Sequence, residues 1–109
     1  MKSSPLKLAM PEKKSITTHV NLVQVGDAQI LTIPGEALPN IGYYLKRKMT
    51  GRHNLLFGLT NDALGYFLTK EDWNSFERYD YITRTCLGEQ PAEILIRESL
   101  RLVNEAAVE

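Results

Sequence analysis

Two side chains draw attention because each follows a predicted strand at the point where the chain breaks. Glu36 comes directly after Pro34 and Gly35, of which proline stiffens the chain and glycine permits a close backbone approach. Tyr66 comes after a polar, glycine-containing loop at residues 61–65. A carboxylate and a phenol that meet at one edge of a sheet can ligate a dication such as zinc, or stabilise developing negative charge. Taken singly, the two residues are better explained without a metal, Glu36 as a carboxylate near the first-turn amides of a helix and Tyr66 as a side chain packed at a loop corner.

The elements that would position these residues predict an α/β fold. Residues 18–25 are rich in β-branched side chains, and Gly26-Asp27 separates them from a second apolar run at residues 28–33, which is typical of a β-hairpin. Residues 38–49 are apolar at spacings of three and four, which predicts a helix with Pro39 in its first turn. The apolar run at residues 54–60 then predicts a buried strand reached by a helix crossover. Both strand exits would lie at the same edge of the sheet.

The remaining segments complete this prediction. The basic residues 46–48 end the first helix, where positive charge suits the helix dipole, and this reading is preferred to an anion site. Thr69 begins a predicted short helix through Phe76, and Pro91 begins the last one. The predicted core face of that last helix is Ala92, Leu95, Ile96, Ser99, Leu102, Val103 and Ala106. We therefore expect a small three-stranded sheet, made of a hairpin plus a crossover strand, with about three helices packed on it.

Composition limits the possible functions. The 109 residues fit one folded domain, for which we predict residues 1–16 as a flexible lead or linker and residues 17–109 as the folded segment. Thirteen basic and thirteen acidic side chains cancel, so a nucleic-acid partner is not expected. No run has the length of a signal or membrane-spanning segment, and the compartment stays unknown. Cys86 is the only cysteine, which excludes an intrachain disulfide and a cysteine-based zinc cluster, and we interpret it as a small packing residue.

Two motifs resemble a known family. The run VGDAQILTIPGE, followed by a helix and then LLFGLTNDALGY, is similar to the C-terminal part of the catalytic domain of the neutral/alkaline (non-lysosomal) ceramidases, over roughly residues 17–103. Members of that family are zinc amidohydrolases that cleave the amide of N-acylsphingosine. The resemblance implies that Glu36 and Tyr66 are zinc ligands and that Tyr79 lies beside the scissile amide as a catalytic residue. Tyr79 is one residue further from Tyr66 than the usual pattern has it, and packing with the aromatic residues Trp73 and Phe76 is the alternative role.

The family's two histidine ligands lie far upstream of this segment. His19 and His53 occupy positions that the family does not use, so we interpret them as surface or locally hydrogen-bonded residues. The resemblance therefore implies part of a zinc-dependent ceramidase-type amidohydrolase, inactive alone, acting on a sphingolipid or another amide. Zinc would bind only together with an upstream histidine-bearing half. The expected partner of the chain is that half or a further copy of the chain itself. Full-length relatives are often secreted or membrane-associated. The alternative is a non-catalytic α/β protein-interaction domain that binds another protein through an exposed sheet edge or an apolar surface.

Overall fold

The computed structural model describes residues 1–9, 15–60, 62, 64–67 and 90–107. Within these ranges the chain forms six strands and two helices, which agrees with the predicted α/β class. In chain order they are β1 (Lys2–Ala9), β2 (Ser15–Val25), β3 (Ala28–Thr32), β4 (Glu36–Ala37), α1 (Pro39–Lys48), β5 (His53–Phe57), β6 (Tyr66–Phe67) and α2 (Gln90–Ala107).

The main sheet has four strands in the order β1-β2-β3-β5. β1, β2 and β3 are antiparallel neighbours, whereas β5 runs parallel to β3 because α1 carries the chain back between them. The β2–β3 hairpin closes at the Val25–Ala28 pair, and Gly26 adopts the positive φ of 58° that a two-residue turn requires. The predicted hairpin and the helix crossover to a further strand are therefore confirmed, and β3 lies inside the sheet. The prediction that the crossover strand is buried is wrong, because β5 lies at the edge of the sheet and His53, Leu55 and Phe57 are exposed.

The first strand corrects the sequence prediction. Residues 2–9 pair with β2 from Lys2 opposite Leu22 to Ala9 opposite Ser15, so this part of the predicted flexible lead is structured. Leu6 and Leu8 are completely buried in the core. Their period of two is the ordinary signature of a half-buried strand. It is hidden in the sequence because lysine and proline occupy the intervening positions. The sheet consequently has four strands rather than the predicted three.

Both helices lie on one face of the sheet. α1 begins with proline in its first turn and ends with the basic residues 46–48, as predicted. The buried face of α2 matches the prediction closely: Ala92, Leu95, Ser99, Leu102 and Val103 are buried, while Ile96 and Ala106 are half-buried against the same core. These side chains pack with Leu6, Leu8, Val20, Leu22, Leu31, Ile33, Ile41 and Leu45 in one continuous cluster. The predicted short helix at residues 69–76 lies outside the described residues.

The opposite face of the sheet carries no described helix. Along β5 the side chains alternate, so that His53, Leu55 and Phe57 are exposed while Asn54 and Leu56 are half-buried on the helix side. Val25, at the end of β2, is also exposed. This open face therefore presents apolar side chains. Neither described helix is long and apolar enough to cross a membrane.

Candidate functional site

Glu36 and Tyr66 lie side by side. They are register partners in the parallel pair β4–β6, as are Ala37 and Phe67. The Glu36 N–H donates a hydrogen bond to the Gly65 carbonyl at 2.8 Å, which holds the two strands together. Register partners on neighbouring strands project from the same face of a sheet. The structure thus brings together the carboxylate and the phenol that the sequence places at two separate strand exits.

The two segments that carry these residues are joined by further backbone hydrogen bonds. The Ile33 N–H donates to the Phe57 carbonyl at 2.8 Å, and the Thr60 N–H donates back to the Ile33 carbonyl at 3.0 Å. Further along, the Leu59 N–H donates to the Gly35 carbonyl at 2.8 Å. The exits of β3 and β5 therefore stay paired beyond the main sheet. The position of Tyr66 next to Glu36 follows from this pairing of the backbone.

Gly35 makes the close approach possible. A Cβ atom at this position would lie 2.5 Å from the Gly65 carbonyl oxygen and 2.8 Å from a ring carbon of Phe67, both too short for real contacts. Gly58 is less restricted, because a Cβ there would lie 3.1 Å from the Gly35 carbonyl oxygen and would need a shift of that neighbour. Glycine is thus needed at position 35 for packing, which agrees with the role predicted from the sequence.

A side-chain contact ties the loop before Tyr66 to the sheet. The Thr18 hydroxyl, on β2, donates a hydrogen bond to the Asp62 carboxylate. Thr18 is buried, so this contact satisfies a hydroxyl that would otherwise be costly to enclose. In the same loop the Thr60 hydroxyl lies 3.1 Å from the carbonyl oxygens of both Phe57 and Gly58, which share its single donor proton. Sequence reasoning missed Thr18, because no spacing connects it with a loop so far along the chain.

The Glu36 carboxylate and the Tyr66 phenol are the two candidate metal ligands among the described residues. Glu36 is exposed and Tyr66 is half-buried. Among the described residues, no group of three or more histidine, cysteine, aspartate or glutamate side chains could hold a metal ion. His53 pairs with Ala28 at the beginning of β3, whereas Glu36 follows the end of that strand. Zinc in proteins usually takes four ligands and favours nitrogen and sulfur, so these two oxygens would need further donors.

The third predicted site residue, Tyr79, lies outside the described residues, as do Trp73, Phe76 and Cys86. Its proposed place beside a scissile amide therefore remains a prediction from the family resemblance. His19 is exposed on the open face of β2, in keeping with the surface role assigned to it.

No family model matches the chain, and neither the curated proteins nor the solved structures include a match to it. The ceramidase resemblance is accordingly carried by the motifs around Glu36 and Tyr66 alone. The observation that bears on function is the geometry of those two residues.

Proposed function

We propose that this chain supplies Glu36 and Tyr66 as two ligands of a zinc site in a ceramidase-type amidohydrolase. The histidine ligands would come from another polypeptide segment. The observation that supports this most is the register pairing of the two residues in β4 and β6. Backbone hydrogen bonds fix the relative positions of the two strands, so both side chains start from neighbouring positions on one face of the pair.

The roles of the chain's own groups follow from their chemistry. Zinc bound there would polarise an amide carbonyl and favour hydroxide formation from a bound water near neutral pH. The Glu36 carboxylate would provide a negatively charged oxygen ligand, and the Tyr66 phenol a second oxygen from the adjacent strand. Phe67, the next residue along β6, is buried in the core and anchors the strand that carries Tyr66. Tyr79 is proposed to lie beside the scissile amide, and N-acylsphingosine or another amide is the proposed substrate.

Calorimetric zinc titration tests the proposal. The chain would be titrated alone and mixed with a ceramidase-type fragment that carries the family's histidine ligands and lacks this segment. We expect the mixture to bind zinc at least about tenfold more tightly than either part, since two donors are added to an incomplete set. Glu36→Ala should abolish that gain. Asp27→Ala is the matched control, because Asp27 is an exposed carboxylate at the opposite end of the sheet.

Two results would contradict this proposal. One is a mixture that binds zinc no better than its parts, and the other is a Glu36→Ala variant that behaves like the wild type. We also expect no amide hydrolysis by the isolated chain. Metal-dependent turnover by the chain alone would show that the site does not need outside ligands.

The alternative function is a non-catalytic interaction domain. The exposed apolar side chains Leu55 and Phe57 on the open face favour it. Under this alternative the mixture would form a complex whose stability is independent of zinc and of Glu36. An upstream coding stretch with paired histidines would favour the amidohydrolase instead.

A further inference from the structure

The two edges of the main sheet differ in how they resist pairing with another strand. β1 carries Lys2, Pro5 and Lys7. Proline removes a backbone donor and lysine is unfavourable in an added strand, so natural proteins use both to protect edges. β5, with the sequence HNLLF, has no proline, lysine or acidic residue. It is the less protected edge of this sheet.

The backbone of β5 has hydrogen-bonding groups directed away from β3. The Phe57 carbonyl accepts a hydrogen bond from Ile33, so the backbone groups of residue 57 point toward the neighbouring segment. Hydrogen-bonding direction alternates along a strand. The N–H and C=O groups of Asn54 and Leu56 therefore point outward, and no described strand pairs with β5 on that side. An added strand could satisfy these groups.

Apolar surface borders this edge on both faces of the sheet. On the open face Leu55 is 43% and Phe57 49% exposed. On the helix face, a groove of about 250 Å³ lies between α1 and β5, lined by Pro39, Gly42, Tyr43, Lys46 and Leu56. A strand added at β5 would place alternate side chains in the groove and on the open face. This is the arrangement used in β-strand addition.

The distribution of charge along β5 indicates which strand could pair with its free edge. Because α1 ends near the beginning of β5, the basic residues 46–48 lie at that end of the strand, and they keep it basic although Arg52 there pairs with Asp27 at 3.9 Å. The exposed acidic side chain of Glu36 follows the end of β3, at the opposite end of the sheet. Antiparallel pairing of two identical copies would bring the basic end of each against the acidic end of the other. Parallel pairing would oppose like charges.

We propose that two copies of this chain associate by antiparallel pairing of their β5 edges, forming one continuous eight-stranded sheet from two four-stranded sheets. The exposed parts of Tyr43, Leu55 and Phe57, with the strand backbone, offer on the order of 500 Å² per copy. Two copies bury about 1,000 Å², which is near the lower limit for a specific interface. The dimer should accordingly be weak, with a dissociation constant of roughly 10–100 µM.

Sedimentation velocity of the whole chain tests this, at concentrations from about 5 to about 500 µM. We expect a monomer–dimer equilibrium that weakens as salt is raised, since the paired ends carry opposite charge. Leu55→Lys should weaken association at least about tenfold, because pairing around the twofold axis brings the two lysines close together. Val25→Lys is the matched control. Val25 is 62% exposed on the same face but lies on β2, away from the edge, so association should be unchanged.

Amide hydrogen exchange gives a second measurement that needs no variant. The amides of Asn54 and Leu56 should become protected as concentration rises, whereas the Leu55 amide, directed toward β3, should change little. A chain that stays monomeric over the whole range overturns the proposal. So does a dimer that Leu55→Lys leaves intact, or one in which Val25→Lys is equally disruptive.

Discussion

Gly35→Ala should specifically disturb the pairing of β4 with β6. The φ angle of Gly35 is not positive, so its backbone conformation does not by itself demand glycine. Glycine is required at this position because a Cβ atom there would lie 2.5 Å from the Gly65 carbonyl oxygen. That oxygen accepts the hydrogen bond from the Glu36 N–H. A backbone atom cannot move aside as the end of a flexible side chain can, so the two segments must separate.

The size of the effect can be estimated from two contributions. Inserting a methyl group into a packed region costs about 1–3 kcal/mol. Lengthening or losing the Glu36–Gly65 hydrogen bond adds about 1 kcal/mol. The free energy of unfolding should therefore fall by about 2–4 kcal/mol, which corresponds to a melting temperature lower by roughly 10–20 °C for a chain of this size.

Chemical denaturation followed by circular dichroism measures this change, with Gly42→Ala as the matched control. A Cβ at Gly42, in α1, would lie 3.6 Å from a Leu56 methyl, which is an ordinary contact. Replacing this helical glycine should stabilise the protein by roughly 0.5–1 kcal/mol. If Gly35→Ala proves as stable as the wild type, the two segments do not approach as closely as described and the reasoning about Glu36 and Tyr66 fails with it.

Three further predictions concern the surrounding structure. Leu6→Ala should lower the free energy of unfolding by about 2–5 kcal/mol, since Leu6 is completely buried. If chemical denaturation shows the same free energy of unfolding for the variant and the wild type, β1 does not pack on the core. Asp62→Ala should cost about 1–3 kcal/mol by leaving the buried Thr18 hydroxyl without its acceptor, and adding Thr18→Val should recover part of the loss in a double-mutant cycle. Hydrogen bonds from Arg101 and then Ser4 lower the pKa of Glu98 below its usual 4.5. Because the folded-state pKa is the lower one, this stabilisation is present at neutral pH and lost as pH falls below about 4.5. Glu98→Gln should therefore destabilise the protein at neutral pH and have little effect well below pH 4.5. An equal loss of melting temperature at neutral and acidic pH would contradict the stabilising role of the Glu98 carboxylate.

The elements that the sequence predicts well are those in which local chemistry and periodicity agree. Gly26 supplies the positive φ of the hairpin turn, and the apolar faces of both helices recur at helical spacing. β1 was missed because lysine and proline at the exposed positions hide the alternation of Leu6 and Leu8. The outward positions of an edge strand are those where such residues protect against aggregation. The same residues that suggest a linker are therefore appropriate for a sheet edge.

The site was predictable to the extent that topology determines it. Two parallel strands joined by a helix must end at the same edge of the sheet, so Glu36 and Tyr66 were expected to converge. The contacts that support them were not predictable in this way. Thr18 reaches Asp62 from another strand, and Ser4 joins Glu98 and Arg101 from the far edge of the sheet. Such contacts depend on how β1 and β2 are placed, which no local pattern in the sequence reports.

The pairing of Glu36 with Tyr66 is a property of the backbone, and this determines how functional experiments on it can be interpreted. The bonds that join the two segments use N–H and C=O groups, and the packing beneath them uses Gly35 and Phe67. The backbone hydrogen bonds and this packing do not involve the Glu36 carboxylate or the Tyr66 phenol. Removing one of these oxygens should therefore leave the fold intact, unlike Gly35→Ala, which should disturb it while leaving both oxygens in place. A loss of zinc binding in Glu36→Ala with normal stability would then report on the carboxylate itself.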